Sequence, residues 1–335
     1  MRVGLAVNKI RSLFPGVFAC VVVALAAAFL SDHYGGPLML YALLFGIAFN
    51  FLSDHPACIL GIEFASRSIL RVGVALLGAR ITLDQVMSLG TTTVVMVITG
   101  VALTIFIGAV LARQLGLSRD LGLLSGGAVA ICGASAALAL SSVMPKHKNS
   151  ERDTILIVIG VTSLSTVAMV IYPLLAEILG MDDTAAGIFL GSTIHDVAQV
   201  VGAGYMVSDT AGDTSTIVKL LRVALLLPVV VVFMLLLPRV QNAPLKIQTL
   251  VPGFLLVFIG IMVLNTMGYL TVGVQSLLSE SSRWFLITAI AGLGIKTSFQ
   301  KLVTVGWRPV ILLVLETLFL AAFIVTAMNF FVVAP

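Results

Sequence analysis

Charge is scarce in this chain: Asp, Glu, Lys and Arg together make up 10% of its 335 residues. A soluble domain carries about 25% of such residues, so an ordinary globular enzyme or nucleic-acid binder is excluded. Apolar residues at 59% and a mean hydropathy of +1.15 exclude it again. Cysteine is sparse as well. Cys20, Cys58 and Cys132 match neither a zinc site nor a disulfide framework and carry no information about compartment. The chain has no GxxxxGK[ST] loop, which argues against direct drive by ATP. It also lacks a zinc-type His/Cys pattern and a serine nucleophile elbow, so no metal, cofactor or enzymatic activity is expected. The short basic cluster Lys146-His147-Lys148 reads as an orienting joint rather than a nucleic-acid site.

What the chain does have is long apolar runs. Eleven can be read: Phe14–Leu30, Pro37–Leu52, Ala57–Gly78, Thr93–Leu111, Leu121–Val143, Ile155–Leu175, Ala185–Val207, Ile217–Leu237, Leu250–Leu270, Trp284–Ile295 and Val310–Val333. In lipid each backbone group must bond within its own segment, so all are expected to be helices. Trp284 and Trp307 stand at segment ends, where amphipathic rings prefer the interface. Arg2, Lys9 and Arg11 before the first run imitate a signal peptide, but the rest of the chain is equally apolar and a retained span is expected. The expectation is an all-α polytopic membrane protein: a single domain over residues 1–335, with a peripheral first span at 1–35 and repeat-containing halves at 57–175 and 185–333.

The repeat rests on short matches. Leu77-Gly78-Ala79-Arg80-Ile81-Thr82-Leu83 resembles Leu293-Gly294-Ile295-Lys296-Thr297-Ser298-Phe299, and Gly90 falls on Gly306 at the same offset. Gly126-Gly127-Ala128-Val129 echoes Gly191-Ser192-Thr193-Ile194. Charge placement tests the arrangement. If all eleven segments cross with the N-terminus inside, ten Lys and Arg lie inside and six outside, with the basic joint Pro145–Asp153 on the wrong face. If segments five and seven dip in and return, the count becomes thirteen against three. Segments three and ten are then antiparallel and the two broken stretches come in from opposite faces, as in an inverted repeat. Full crossing by broken helices stays open, because such folds disobey the charge rule locally.

Two glycine-punctuated stretches stand out: Gly126–Ala136 (GGAVAICGASA) and Gly191–Gly204 (GSTIHDVAQVVGAG). Helices broken by small residues form ion and substrate sites in secondary transporters. His195 and Asp196 are adjacent ionisable groups at membrane depth, where such groups face a cavity or a partner. They are the candidate ion-coupling pair, for a proton or sodium; a hydrogen-bonded pair joining two helices is the bland alternative. Helical spacing puts His195, Gln199 and Gly202 on one face. Ser125, Gly126, Gly127, Cys132, Gly133, Ala134 and Ser135 offer small side chains and accessible amides, which suits either an anion at a helix start or close helix packing. Glu63, Arg67 and Arg71 fall on one helical face, and Arg71 and Lys296 are candidate cations for an anionic substrate, or members of gating salt bridges. Glu316 has no partner that the sequence reveals.

At GGAVAICGASAALALSSV and GSTIHDVAQVVGAGY the chain resembles the YeiH family of bacterial inner-membrane proteins, described as sulfate exporters. RVGVALLGARIT and GLGIKTSF extend the resemblance over nearly the whole chain. It implies a transporter of a small anion, plausibly a sulfur oxyanion, on an inverted-repeat fold related to sodium–bile acid and sodium–proton exchangers. Cys132, Gly133, Ala134, Ser135, His195, Asp196 and Gln199 carry the matching motifs. The expected function is therefore secondary transport of a small anion, sulfate, sulfite or a small sulfonate preferred, in the bacterial inner membrane with the N-terminus cytoplasmic. Alternatives are a membrane-embedded regulatory or scaffold protein that binds without translocating, and a sodium-coupled organic-anion symporter. Expected partners are the bilayer and the anion, with no nucleic acid; a homodimer is an assembly the sequence permits.

Overall fold

A computed structural model describes residues 2–145, 147, 149–237, 252–297 and 306–331. Lys146, Lys148, Arg239, Lys246, Ser298, Phe299 and Lys301, used above for charge placement or the repeat, lie outside the described residues. Among the described residues the regular elements are helical, in this order: α1 (Arg2–Tyr34), α2 (Leu38–Ala48), α3 (Pro56–Phe64), α4 (Leu70–Leu76), α5 (Leu83–Ser88), α6 (Gly90–Gln114), α7 (Arg119–Ala130) and α8 (Ala134–Val143). Then follow α9 (Ser150–Ile178), α10 (Asp183–Thr193), α11 (Val197–Val207), α12 (Asp209–Ala224), α13 (Leu226–Leu236), α14 (Gly253–Thr266), α15 (Val272–Lys296) and α16 (Trp307–Phe331). Five described spans are long and apolar enough to cross a membrane: 11–34, 90–114, 150–178, 209–236 and 307–330.

The boundaries follow from local chemistry. Ser118, Asp182 and Ser208 cap α7, α10 and α12 by accepting from the N–H three residues on. Thr82 and Gln85 form a capping box on α5. Gly116 and Gly180, with φ of 70° and 65°, close α6 and α9 in the left-handed region that glycine tolerates. A π-helical turn at Ala65–Ile69 joins α3 to α4.

Both glycine-punctuated stretches break, and both fold back. A methyl group built at Gly187 of α10 and one at Gly204 of α11 would each lie 3.0 Å from the same carbonyl oxygen, that of Ala211. Seventeen residues on one straight helix would separate them by about 25 Å, so α10 and α11 form a hairpin. Gly127 of α7 likewise faces the Leu140 side chain of α8. Asp120 and Leu121, at the start of α7, line one small pocket with Met144, just past α8, and Thr154 of α9. The first hairpin thus hangs from the beginning of α9 and the second from its end. The 29 residues of α9 span about 43 Å, so the hairpins come in from opposite ends and meet near its middle.

Around the hairpins pack α6, α9, α12 and α16. A second group, α1, α2, α3–α4, α14 and α15, lies beside them and touches the first mainly where α11 meets α2 and α15. Small residues let its backbones close up: Gly16 against Gly61, and Gly46 against Gly294. Ala65 faces Gly292 while the Ser282 hydroxyl donates to Gly73 O at 2.6 Å, so α3–α4 and α15 run antiparallel.

Two sequence expectations need correction. The tenth segment begins at Val272, not Trp284, which leaves Trp284 and Arg283 inside α15; exposed polar residues such as Glu280 masked the first half of that helix. Lys219, counted in an outside joint, is fully buried within α12.

Single cysteines at Asn149 and Thr184, in a chain with its three native cysteines replaced by alanine, should react with an impermeant maleimide from opposite membrane faces. Reaction of both from one face would show that α9 does not cross.

Candidate functional site

The hairpin tips are Ile131–Gly133 and Ile194–Asp196. Four half-helix ends converge there: the carbonyl ends of α7 and α10 and the N–H ends of α8 and α11. Each carbonyl end leaves unpaired C=O groups, and lipid or apolar protein offers them no water. Two fully buried cations from α12 take that place. Arg222 donates through Nε to Ala130 O at 2.8 Å and through one amino group to Val129 O at 2.8 Å. Its other amino group donates to Gly191 O at 3.1 Å and Ile194 O at 2.9 Å. Lys219 Nζ donates to Ile131 O at 2.7 Å and Ile194 O at 2.9 Å. Each cation therefore bridges both hairpins.

The other contacts also cross between hairpins. The Asp196 carboxylate, at the N-cap position of its own α11, faces the Ala134 N–H at the start of α8 and the Thr162 hydroxyl. Its backbone N–H donates to Ser165 Oγ at 3.0 Å. Gly133 makes this approach possible: its φ is 59°, and a methyl group there would sit 2.9 Å from the Asp196 carboxyl carbon. His195 is fully buried. Its Nδ1 lies 3.2 Å from Val129 O, which can only accept, so Nδ1 carries a hydrogen. Nε2 lies 3.0 Å from Thr317 Oγ1 on α16. Gln199 donates through Nε2 to Thr166 Oγ1 at 3.4 Å, and its Oε1 is buried without a partner among the described residues.

The structure thus brings together Cys132, Gly133, Ala134, His195, Asp196 and Gln199. Cys132 is buried in the first tip, and Ser135 is exposed just past it, with Ala134, Asp196 and Val197 partly so. Ser125, Gly126 and Gly127 lie further along α7. Gly126 packs against the Thr104 carbonyl and Ile105, while the Ser125 hydroxyl reaches Glu316 Oε1 at 2.6 Å. Arg71 is exposed on α4, and Lys296 ends α15; neither is at the tips. Arg67 pairs with Glu63 at 2.6 Å on an exposed face, a geometry of little energetic weight. The helical spacing that joined His195 to Gln199 fails because the helix is interrupted at Ile194–Asp196; Gln199 and Gly202 share α11, and His195 precedes it.

Sequence reasoning missed Lys219 and Arg222. Their signal was present: two basic residues three apart in an apolar 28-residue span, on one helical face. The three hydroxyls Thr162, Ser165 and Thr166 in apolar α9 were a second such signal.

Arg222→Leu should leave Ala130 O and Gly191 O unmet, since Val129 O keeps His195 and Ile194 O keeps Lys219, and Lys219→Met should leave Ile131 O unmet, at about 1–3 kcal/mol for each buried group left unpaired. Folded, monodisperse protein should melt well below wild type in detergent, more so for Arg222→Leu, with Arg222→Lys between. Unchanged melting in all three would show that these cations do not hold the tips.

Comparison with known proteins places the chain. Residues 15–313 match the family model described as conserved hypothetical protein 698. A UPF0324 membrane protein of Chlorobaculum tepidum is 52% identical, over 93% of this chain and 88% of that one. Another, of Rhizobium meliloti, is 49% identical over 94% and 92%. The UPF0324 membrane protein TauZ of Paracoccus denitrificans is 46% identical over 96% of both. No solved structure matches. The chain is a multi-pass membrane protein and belongs to the UPF0324 family, which is also the family of YeiH.

Proposed function

We propose that this protein is a secondary transporter of a small anion, with sulfate, sulfite or a small sulfonate preferred. The observation that carries the proposal is the charge at the hairpin tips. Arg222 and Lys219 contribute two positive charges and Asp196 one negative. The half-helix ends, about half a unit each, cancel as two positive and two negative. The remainder is about one positive charge at the depth where α8 and α11 direct their N–H groups. Exposed Ser135 and the partly exposed Ala134, Asp196 and Val197 open the N–H ends of α8 and α11 to the protein surface above that buried charge, and the buried Gln199 Oε1 has no partner among the described residues. Asp196 is the candidate ion-coupling group, for a proton or sodium, with His195 holding the tip against α16.

Three further observations support the transporter reading. Broken helices meeting from opposite faces are the usual setting of a midplane substrate site. Gly78 and Gly294, equivalent in the sequence match, each support a close helix contact, since an added methyl group would lie 3.1 Å from Met262 N at Gly78 and 2.9 Å from Gly46 Cα at Gly294; this favours an inverted repeat over eleven segments. The Lys and Arg of the joints favour a cytoplasmic N-terminus and a cytoplasmic Asn149.

At the opposite end, Arg80 spans the two helix groups. It pairs with Asp209 at 2.9 Å and Asp213 at 3.0 Å, and Tyr205 donates to Asp213 at 2.6 Å. A gating salt bridge at Arg80 fits this geometry.

Purified protein in liposomes should exchange or accumulate a labelled sulfur oxyanion or sulfonate under an ion gradient. Asp196→Asn should remove that flux while melting stays near wild type, because asparagine keeps the shape and loses the charge. His195→Gln should change its pH dependence. Binding of the same anions without any flux would replace the transporter with a ligand-binding regulatory protein. Full flux in a destabilised Asp196→Asn protein would assign Asp196 to structure alone.

A further inference from the structure

Glu316 plays no part in the site described above, yet it sits beside it. It lies on α16, 0% exposed, next to Thr317, which bonds His195. Its Oε1 is 2.6 Å from Ser125 Oγ on the first hairpin, and its Oε2 is buried with no partner among the described residues. The fold leaves room for this carboxyl group: a methyl group at Gly108 of α6 would lie 2.5 Å from Oε1.

Among the described residues no cation balances it. The helices packed on α16 are α6, α7, α9 and α10. Their charged residues stand at the helix ends: Arg113 on α6, Arg119 and Asp120 on α7, Glu151, Arg152, Asp153 and Glu177 on α9, and Asp183 on α10; the other titratable group on these helices is the Tyr172 phenol of α9, which carries no positive charge. His195 bonds Thr317 and Val129 rather than Glu316. Arg222 and Lys219 are spent on backbone carbonyls. Among the described residues Glu316 has no ion pair.

The hydrogens can be counted. Ser125 Oγ has two acceptors in reach, Glu316 Oε1 at 2.6 Å and the Gly122 carbonyl at 3.2 Å, but a hydroxyl has one hydrogen. Both contacts are hydrogen bonds only when the carboxyl group supplies the second. Oε1–H then donates to Ser125 Oγ, and Ser125 O–H donates to Gly122 O. A carboxylate would instead leave a charged oxygen buried and unpaired, which is far costlier than a neutral one.

We infer that Glu316 is a proton-binding site: it is a carboxylic acid in this conformation, hydrogen-bonded to Ser125 of the first hairpin. The proton is released to water, leaving the carboxylate, when Ser125 and Glu316 part. Resting on the transporter reading, this makes Glu316 a proton-coupling group additional to Asp196.

Infrared spectra of purified wild-type protein, titrated across neutral pH, should contain a carboxylic-acid C=O band that Glu316→Gln loses. Glutamine retains an N–H donor for Ser125, so this variant should fold. Ser125→Ala should shift the band by removing its hydrogen-bond partner. An identical acid band in Glu316→Gln, or its absence from wild type at neutral pH, would overturn the protonation. In liposomes, anion-dependent proton movement followed with a pH-sensitive dye should be lost in Glu316→Gln, and its persistence would overturn the coupling role. If wild type moves no anion, the transporter reading fails, while the infrared band still decides whether Glu316 holds the proton.

Discussion

Breaking a helix inside an apolar interior exposes carbonyls that nothing nearby can hydrate, and the rest of this structure depends on how that is answered. A chain with 10% charged residues places two of its cations, Lys219 and Arg222, at that one level. Desolvating them would be prohibitive alone. Six carbonyl contacts at helix C-termini offset it, where the backbone dipole already favours positive charge. The same contacts fix where the tips lie, so the position of Asp196 against Ala134 follows from them.

The glycines serve this arrangement rather than flexibility. Gly126 admits the α6 backbone, Gly187 and Gly204 admit α12, and Gly133 admits a carboxylate. Gly133 alone among these needs its unusual backbone angle. Reading the Gly126–Ala136 stretch as either packing or binding was therefore a false choice: the α7 part packs, and the tip forms the site.

Much of this was legible in the sequence. Glycine punctuation marked both breaks, and the placement of Lys and Arg favoured stretches that fold back over stretches that cross. The paired ionisable groups marked the second tip correctly. The cations were overlooked despite their spacing, because Lys219 follows the polar run Asp213–Ser215 and looked like a joint residue. Arg71 looked deep by hydropathy but faces outward on α4, since a one-dimensional average cannot say which side of a helix is covered. Glu316 had no visible partner because Ser125 lies 191 residues away.

The bridging cations also say where this molecule can bend. Parting the hairpins breaks three of the six Arg222 and Lys219 contacts whichever tip stays with α12, so the two tips and α12 tend to move as one body. Where α11 rests on α2 and α15 the contacts are of another kind, such as Gly202, where an added methyl group would lie 3.1 Å from the Ile290 side chain. Apolar surfaces of that sort slide without leaving a polar group bare. The seam of least resistance therefore runs along α11, and the Arg80 cluster is the fastening across one end of it.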